Sequence, residues 1–401
     1  MIRMVMKRAI LAALAIVPAA LASPAPRDTP VAAAPVHQAQ VEARILFAPQ
    51  VVSGSDGRRH LAYELRITSF QDGDAPLTLE RIAVFAGDAA VPLTTIDGAA
   101  LGGLLARPTA GAERRDGVAI ASGQSATLFL WLTLPPGTRP ALLRHQLSFR
   151  TGAGAIERAD DVRAPIVAAP PVVIGPPLRG ARWLAVEGPG NRLSHHWGSL
   201  VAIDGKLTIP QRFAIDWFGL DAGNHALRRQ AAPAATTDAD WVGYDSAVIA
   251  VADAMVVDAR DGVADGTPLA PLAEPDDLTA RSLYGNFVVL RIAPGVYAHY
   301  AHLRRGTVAV AIGQHVRRGA IIGRLGQTGS AGAPHLHFHL SNRATFEQSE
   351  GLPYVIDRFA LFGRARIEDS FDRATPVALS PPAASRRIGE LPLDGSVLAF
   401  P

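Results

Sequence analysis

Between residues 41 and 165, apolar and polar side chains alternate with a period of two. The clearest run is His60-Leu-Ala-Tyr-Glu-Leu-Arg-Ile-Thr68, followed by Ala126-Thr-Leu-Phe-Leu-Trp-Leu-Thr-Leu134 and Leu142-Leu-Arg-His-Gln-Leu-Ser-Phe149. Alternation of this kind turns one face of a strand to a core and the other to solvent. Gly, Asp and Pro punctuate the runs, so the segment predicts an antiparallel β-sandwich, with a short helix near Ala99–Ala106. No polar side chains gather there into a site, which leaves a spacer or docking role.

A Pro-rich stretch, Ala164–Pro177, marks a boundary, and a linker is expected over 166–180. Residues 181–360 are again strand-like. Asp204-Gly205 between the apolar flanks of Val201–Ile209 is a hairpin signal. Ala247–Val257 and Asn286–Ile292 are nearly continuous apolar runs and read as buried strands, with a long irregular loop over Asp258–Arg281 between them. Residues 361–401, rich in Pro, Ala and Arg, read as a loosely attached tail. At the other end Lys7 and Arg8 precede an apolar run, Ala9–Ala22, that closes on Ala20-Leu-Ala22. That run is too short to span a bilayer comfortably and has the form of a secretory signal peptide over 1–22, with an uncleaved anchor as the alternative, followed by a flexible linker over 23–40. The expectation is a periplasmic or extracellular protein without a membrane span once the signal is removed.

The formal charge of +3 falls to 0 with that segment, because Arg3, Lys7 and Arg8 leave and no acid does. No basic field or aromatic-basic stripe remains, which argues against nucleic acid as a partner. There are no cysteines, so thiolate catalysis and cysteine-ligated zinc are excluded.

Nine of the twelve histidines fall within 181–360. Three stand in Ala333-Pro-His-Leu-His-Phe-His-Leu340, at alternate positions. If this segment is a strand, His335, His337 and His339 share one face, a pattern suited to metal binding by neutral imidazole.

Taken with its surroundings, the segment resembles the end motif of the lysostaphin-type (LytM-domain) zinc metalloendopeptidases, which cut peptide cross-links in bacterial peptidoglycan. The matching residues are the Gly-rich Gly329-Ser-Ala-Gly-Ala-Pro-His-Leu-His-Phe338, Tyr300-Ala-His-Leu303, and the spacing of Val308, Gly313, Val316, Gly319, Ile322, Gly323 and Gly326. Ala247-Val-Ile-Ala-Val-Ala-Asp253 and Ala214-Ile-Asp216 resemble two further family segments, so the likeness runs over about 190–345. It implies a mainly β chain, an N-terminal antiparallel β-sandwich followed by an antiparallel β-sheet metallopeptidase-like domain at 181–360. It further implies Zn2+ held by His337 and Asp216, with His335 as general base and His302 as hydrogen-bond stabiliser. His339 has no family role and reads as a supporting or surface residue.

One position departs from the pattern. The family's first ligand lies four residues before the Asp, where this chain has Arg212. A guanidinium stays protonated and cannot coordinate zinc. The nearest replacements are His195 and His196. Extending the Asp204-Gly205 hairpin register places His195 on the Asp216 face, whereas a bulge at Pro210 would reverse that parity. Family members with a similar Arg-Phe-Ala-Ile-Asp segment align their upstream His with His196. Both remain open from sequence, with His196 preferred. Arg212 is expected beside the metal, where it could hold Asp216 or a substrate carboxylate. The function implied is hydrolysis of peptidoglycan peptide bonds by zinc-activated water. The alternative is a degenerate, non-catalytic relative that binds cell-wall peptide or regulates a partner hydrolase.

Overall fold

The computed structural model describes residues 38–105, 117–180, 182–271, 279–381 and 384–401. The expected signal peptide, and the linker up to residue 37, lie outside the described residues.

The chain is mainly β and built from antiparallel sheets. Among the described residues the first half has nine strands: β1 (Val41–Ile45), β2 (Val52–Ser53), β3 (Arg59–Ser69), β4 (Leu77–Ala86), β5 (Thr94–Asp97), β6 (Val118–Ile120), β7 (Ser125–Leu134), β8 (Leu142–Arg150) and β9 (Ile156–Pro165). A single helical turn, α1 (Ala99–Gly102), lies where a helix was expected. One sheet centres on β3, paired with β1, β2 and β7; the other runs β5-β4-β8-β9, with β6 on β4. Leu61, Tyr63, Leu65 and Ile67 of β3 face Leu79, Ile82 and Val84 of β4 and Leu147 and Phe149 of β8 across a fully buried core. The period-two pattern thus does what it predicts.

The second half contains β10 (Val172–Ile174), β11 (Arg182–Val186), β12 (Val201–Ile203), β13 (Lys206–Thr208), β14 (Ile215–Leu220), β15 (Ala247–Ile249), β16 (Ala254–Arg260), β17 (Phe287–Ala293), β18 (Val296–Ala301), β19 (His315–Val316), β20 (Ile321–Arg324), β21 (Leu336–Ser341), β22 (Tyr354–Arg364), β23 (Ser385–Glu390) and β24 (Ser396–Ala399). A short helix, α2 (Ala280–Tyr284), capped by Thr279, precedes β17. Eleven of these strands form one sheet in the order β10-β22-β24-β11-β14-β21-β18-β17-β16-β19, with β23 on β22. Only β10–β22 is parallel within it. β12 and β13 close the expected hairpin, with Asp204 and Gly205 at φ 49° and 70° in its turn.

Three expectations are corrected. Residues 361–401 are not a loose tail: β22 continues to Arg364, β23 joins it, and β24 sits between β22 and β11. Val397, Leu398 and Phe400 are buried, and that apolar gain outweighs the Pro-rich composition around them. The 166–180 segment is not a free linker, because β10 pairs with β22 and Ile174 and Leu178 enter the core. Ala247–Val257 is not one strand. It leaves the β15–β20 pair at Ile249 and enters the large sheet at Ala254, with Val251 N–H bonded to Tyr300 Oη at 2.9 Å. Asp253, the one polar residue of the run, stands immediately before the point where it enters the large sheet.

The sandwich is not a detached spacer. Val52, Ala62 and Phe129, on the outward faces of its strands, belong to the same buried cluster as Trp197, Ile215 and Phe338, and the described residues form one compact unit.

Candidate metal centre

Three central strands, β14, β21 and β18, carry the site. Asp216 lies directly opposite His337 across the β14–β21 ladder, and Ala301 lies opposite His337 across β18–β21. Directly opposed residues share a face with their side chains in contact. Leu336, Phe338 and Leu340 go to the core, so His337 and His339 project the other way.

Asp216 Oδ1 is 3.0 Å from His337 Nδ1. His196 Nε2 is 3.1 Å from the same His337 atom and 3.4 Å from Asp216 Oδ1. His335 Nε2 is also 3.4 Å from Asp216 Oδ1. The His302 ring lies 4.7 Å from that of His335 and 5.9 Å from that of His337. All five residues are buried.

Backbone carbonyls fix the imidazoles. Nδ1–H of His196 donates to Glu187 O (2.9 Å), that of His335 to Ala333 O (2.7 Å) and that of His302 to Thr328 O (2.8 Å). Each bond fixes its ring and directs Nε2 into the site, as orientation of a metal-binding imidazole requires. His337 is reversed: it offers Nδ1 to Asp216, while Nε2 lies 2.9 Å from His339 Nδ1. The amide of Gln211 also lies 3.3 Å from His337 Nε2, and His339 in turn lies 3.4 Å from Tyr284 Oη. His302 stands at φ 62°, a left-handed conformation that costs a non-glycine residue about 1–3 kcal/mol. Bonds from His302 N to Tyr284 O, Leu303 N to Asn286 O and Gly326 N to His302 O hold it there.

Burial works against ionisation of Asp216, but the charges of His196 and His335 prevail and hold its carboxyl well below the usual range. Burial pushes His337 down to about 4, and the partial compensation from Asp216 does not reverse it. Burial, reinforced by His335 and His337, also drives His302 well down. His335 is opposed by burial, yet its proximity to Asp216 raises it. A carboxylate beside neutral imidazoles is the donor set that zinc prefers where sulfur is absent. Zinc bonds of about 2.05 Å in a tetrahedron put ligand atoms about 3.3 Å apart. The 3.0–3.4 Å triangle of His196 Nε2, Asp216 Oδ1 and His337 Nδ1 fits that spacing.

His195 lies elsewhere. Its side chain is 64% exposed and its Nδ1 is 3.3 Å from Glu187 Oε2. Donor atoms of His195, His196 and Asp216 fall within 4.8 Å of one another, a looser set than the triangle. The hairpin ladder ends at Val201↔Thr208, so the register that would have placed His195 opposite Ala214 is not continued. Trp197 instead draws the preceding chain inward against Phe129 and Trp131, at ring distances of 5.6 and 5.9 Å.

Arg212 is not beside the metal donors. Ala214 N bonds Gln211 O in a turn before β14 begins, and the guanidinium points away into a buried cluster. Its Nε and Nη2 donate to Glu64 Oε1 and Oε2 at 2.7 and 2.8 Å, Nη2 also to Glu350 Oε2 at 2.8 Å, and Nη1 to Gly351 O at 3.0 Å. Sequence reasoning missed Glu64 because an outward position in an alternating strand reads as solvated. It also missed Glu187 and Tyr284, for which no local signal exists.

The family model for Peptidase family M23 matches residues 241–348. That span includes His302, His335, His337 and His339 and begins after Asp216. Among solved structures, the chain is similar to the catalytic domain of the antimicrobial peptidase lysostaphin from Staphylococcus simulans, at 19% identity over 43% of this chain and 88% of that one, TM-score 0.22. It is similar to the catalytic domain of the prophage-encoded M23 protein EnpA from Enterococcus faecalis, at 16% identity over 40% and 81%, TM-score 0.22. It is also similar to a zinc-containing peptidase from Vibrio cholerae, at 13% identity over 73% and 81%, TM-score 0.19. No curated protein matches the chain.

Proposed function

Taking residues 241–348 as a segment of peptidase family M23, we propose that this protein is an exported zinc endopeptidase that hydrolyses peptide bonds of peptidoglycan or a related cell-wall peptide. The observation that carries the reading is the triangle of His196 Nε2, Asp216 Oδ1 and His337 Nδ1 at 3.0–3.4 Å. These residues would hold the metal. Zinc bound there supplies a Lewis acid and lowers the pKa of water towards ~7. His335, its tautomer fixed by Ala333 O, accepts a proton at Nε2 and returns it to the leaving amine. His302, fixed by Thr328 O, keeps Nε2 beside His335 as a hydrogen-bond acceptor that can position a water or a substrate N–H. His339 holds the His337 proton on Nε2 and so keeps Nδ1 free to bind metal. The alternative, a non-catalytic binding relative, is motivated by Arg212. What favours catalysis over it is a third donor in His196, so that Arg212 is not required as a ligand.

The test is metal content of the purified chain followed by digestion of purified peptidoglycan. One zinc per chain, lost in His337→Ala and in Asp216→Ala, with new peptide amino termini released only by the parent, is expected. A chain that takes up no metal at micromolar zinc refutes the reading. A zinc-loaded chain that releases no termini supports the binding alternative.

A further inference from the structure

Behind the metal centre lies a second buried charged cluster that the chemistry above leaves unused. Glu64 is 0% exposed, Arg212 3% and Glu350 7%. Glu64 belongs to the N-terminal sandwich, 148 residues before Arg212. The two form a bidentate fork, the most directional ion pair available to side chains. Replacing such a cluster with packed apolar side chains is often neutral or stabilising. Stability alone therefore gives little reason to bury two carboxylates around one guanidinium, and fixed geometry is what the fork adds.

The geometry it fixes is that of the ligand segments. Glu64 lies directly opposite Phe129 in the β3–β7 ladder, and Ala62 opposite Trp131. One face of the sandwich thus presents the carboxylate to Arg212 and two aromatic rings to Trp197. Trp197 follows His196. Arg212 precedes Asp216 by one turn, and its neighbour Gln211 carries a side-chain amide 3.3 Å from His337 Nε2. The segment is closed from the other side as well. Gly351 N bonds Ile209 O, Arg212 bonds Gly351 O, and a Cβ at Gly351 would stand 2.6 Å from Pro210 O.

We propose that Glu64, although in the sandwich, is a positioning residue of the metal centre. Its fork to Arg212, with the Phe129–Trp131 grip on Trp197, sets the separation of the segments that present His196 and Asp216. The inference rests on the metal-centre reading. The sandwich is then the back wall of the site and not an appendage.

The experiment compares zinc affinity, the visible spectrum of the cobalt-substituted protein and the thermal midpoint in three full-length chains. These are the parent, Glu64→Gln, and the apolar triple variant Glu64→Leu/Arg212→Met/Glu350→Leu. The expected result is zinc affinity lowered about 10- to 100-fold in both variants, with a weakened tetrahedral cobalt band, although the triple variant melts close to the parent. A merely stabilising cluster would move the melting point and leave the cobalt band alone. A triple variant that folds and matches the parent in affinity and spectrum overturns the proposal while leaving the metal centre intact. If the triple variant does not fold, parental affinity in Glu64→Gln overturns it equally. A parent that binds no zinc fails at the earlier step and takes this inference with it.

Discussion

Arg212→Met gives the sharpest stability prediction, because it removes the only cation from a cluster whose geometry is known. Methionine fills much of the space and leaves Glu64 fully buried beside Glu350 with no cation between them. Breaking a buried pair from one side costs about 3–5 kcal/mol. The compact unit has about 365 residues, so an unfolding entropy of ~2.1 cal/mol/K per residue sums to roughly 0.77 kcal/mol/K. The midpoint should fall by about 4–6 °C. The deficit also has a defined pH dependence. Burial already raises Glu350 against the pull of Arg212, and without the guanidinium it stands further above the unfolded value of ~4.3. Such groups are tolerated while protonated and destabilise as pH rises through the folded pKa. Thermal unfolding followed by far-UV circular dichroism at pH 5 and pH 8 should therefore show the larger loss at pH 8. Adding Glu64→Leu and Glu350→Leu should return most of it. A midpoint within about 1 °C of the parent at pH 8, or a deficit that does not vary with pH, would refute the argument.

Three other outcomes follow from the same geometry. His196→Ala should abolish zinc binding, whereas His195→Ala should change affinity by less than about threefold, since the exposed ring pairs with Glu187 and not with the triangle; isothermal titration separates the two. His339→Phe should weaken zinc by about 10- to 100-fold in the same titration, because the His337 Nε2–H loses its acceptor. In the sandwich, burial pushes His145 down to about 4, and the opposing effect of its bond to Val162 O does not reverse it. The unfolded chain protonates it near pH 6.5, so its contribution is full above that value and falls as pH drops towards 4. Urea unfolding at pH 7 and pH 5 should show about 2 kcal/mol of loss from this residue, absent in His145→Gln.

What could be read from the sequence was local. The sandwich strands declare themselves because Leu61, Tyr63, Leu65 and Ile67 alternate with polar positions, and Asp204-Gly205 specifies a turn that only left-handed residues accept. His335, immediately before β21, and His337 within it both reach Asp216 because they are two apart in extended chain, which needs no tertiary knowledge. The misread features depend on distant partners. Glu64 looks solvated until Arg212 arrives from the second half. The parity argument for His195 required a ladder that stops at Val201↔Thr208, because burying Trp197 is worth more than two further rungs. The strands at 385–390 and 396–399 are short and set among Pro and Arg, and only their neighbours in the sheet make them legible.

The position of β24 sets an order of events. It fills the slot between β22 and β11, and β11 is the partner of the strand that carries Asp216. Trp183 pairs with Leu398 more than two hundred residues downstream. During synthesis from the amino end, β11 and β14 emerge long before the strand that completes their sheet. Until then β11 keeps an open edge on that side, with unpaired amides exposed to any other chain. The half that carries the proposed ligands thus closes late, through a pairing between residues more than two hundred positions apart, and folding should be slow. A chain cut short before Ser396 would carry every proposed ligand while the sheet beneath them stayed unfinished.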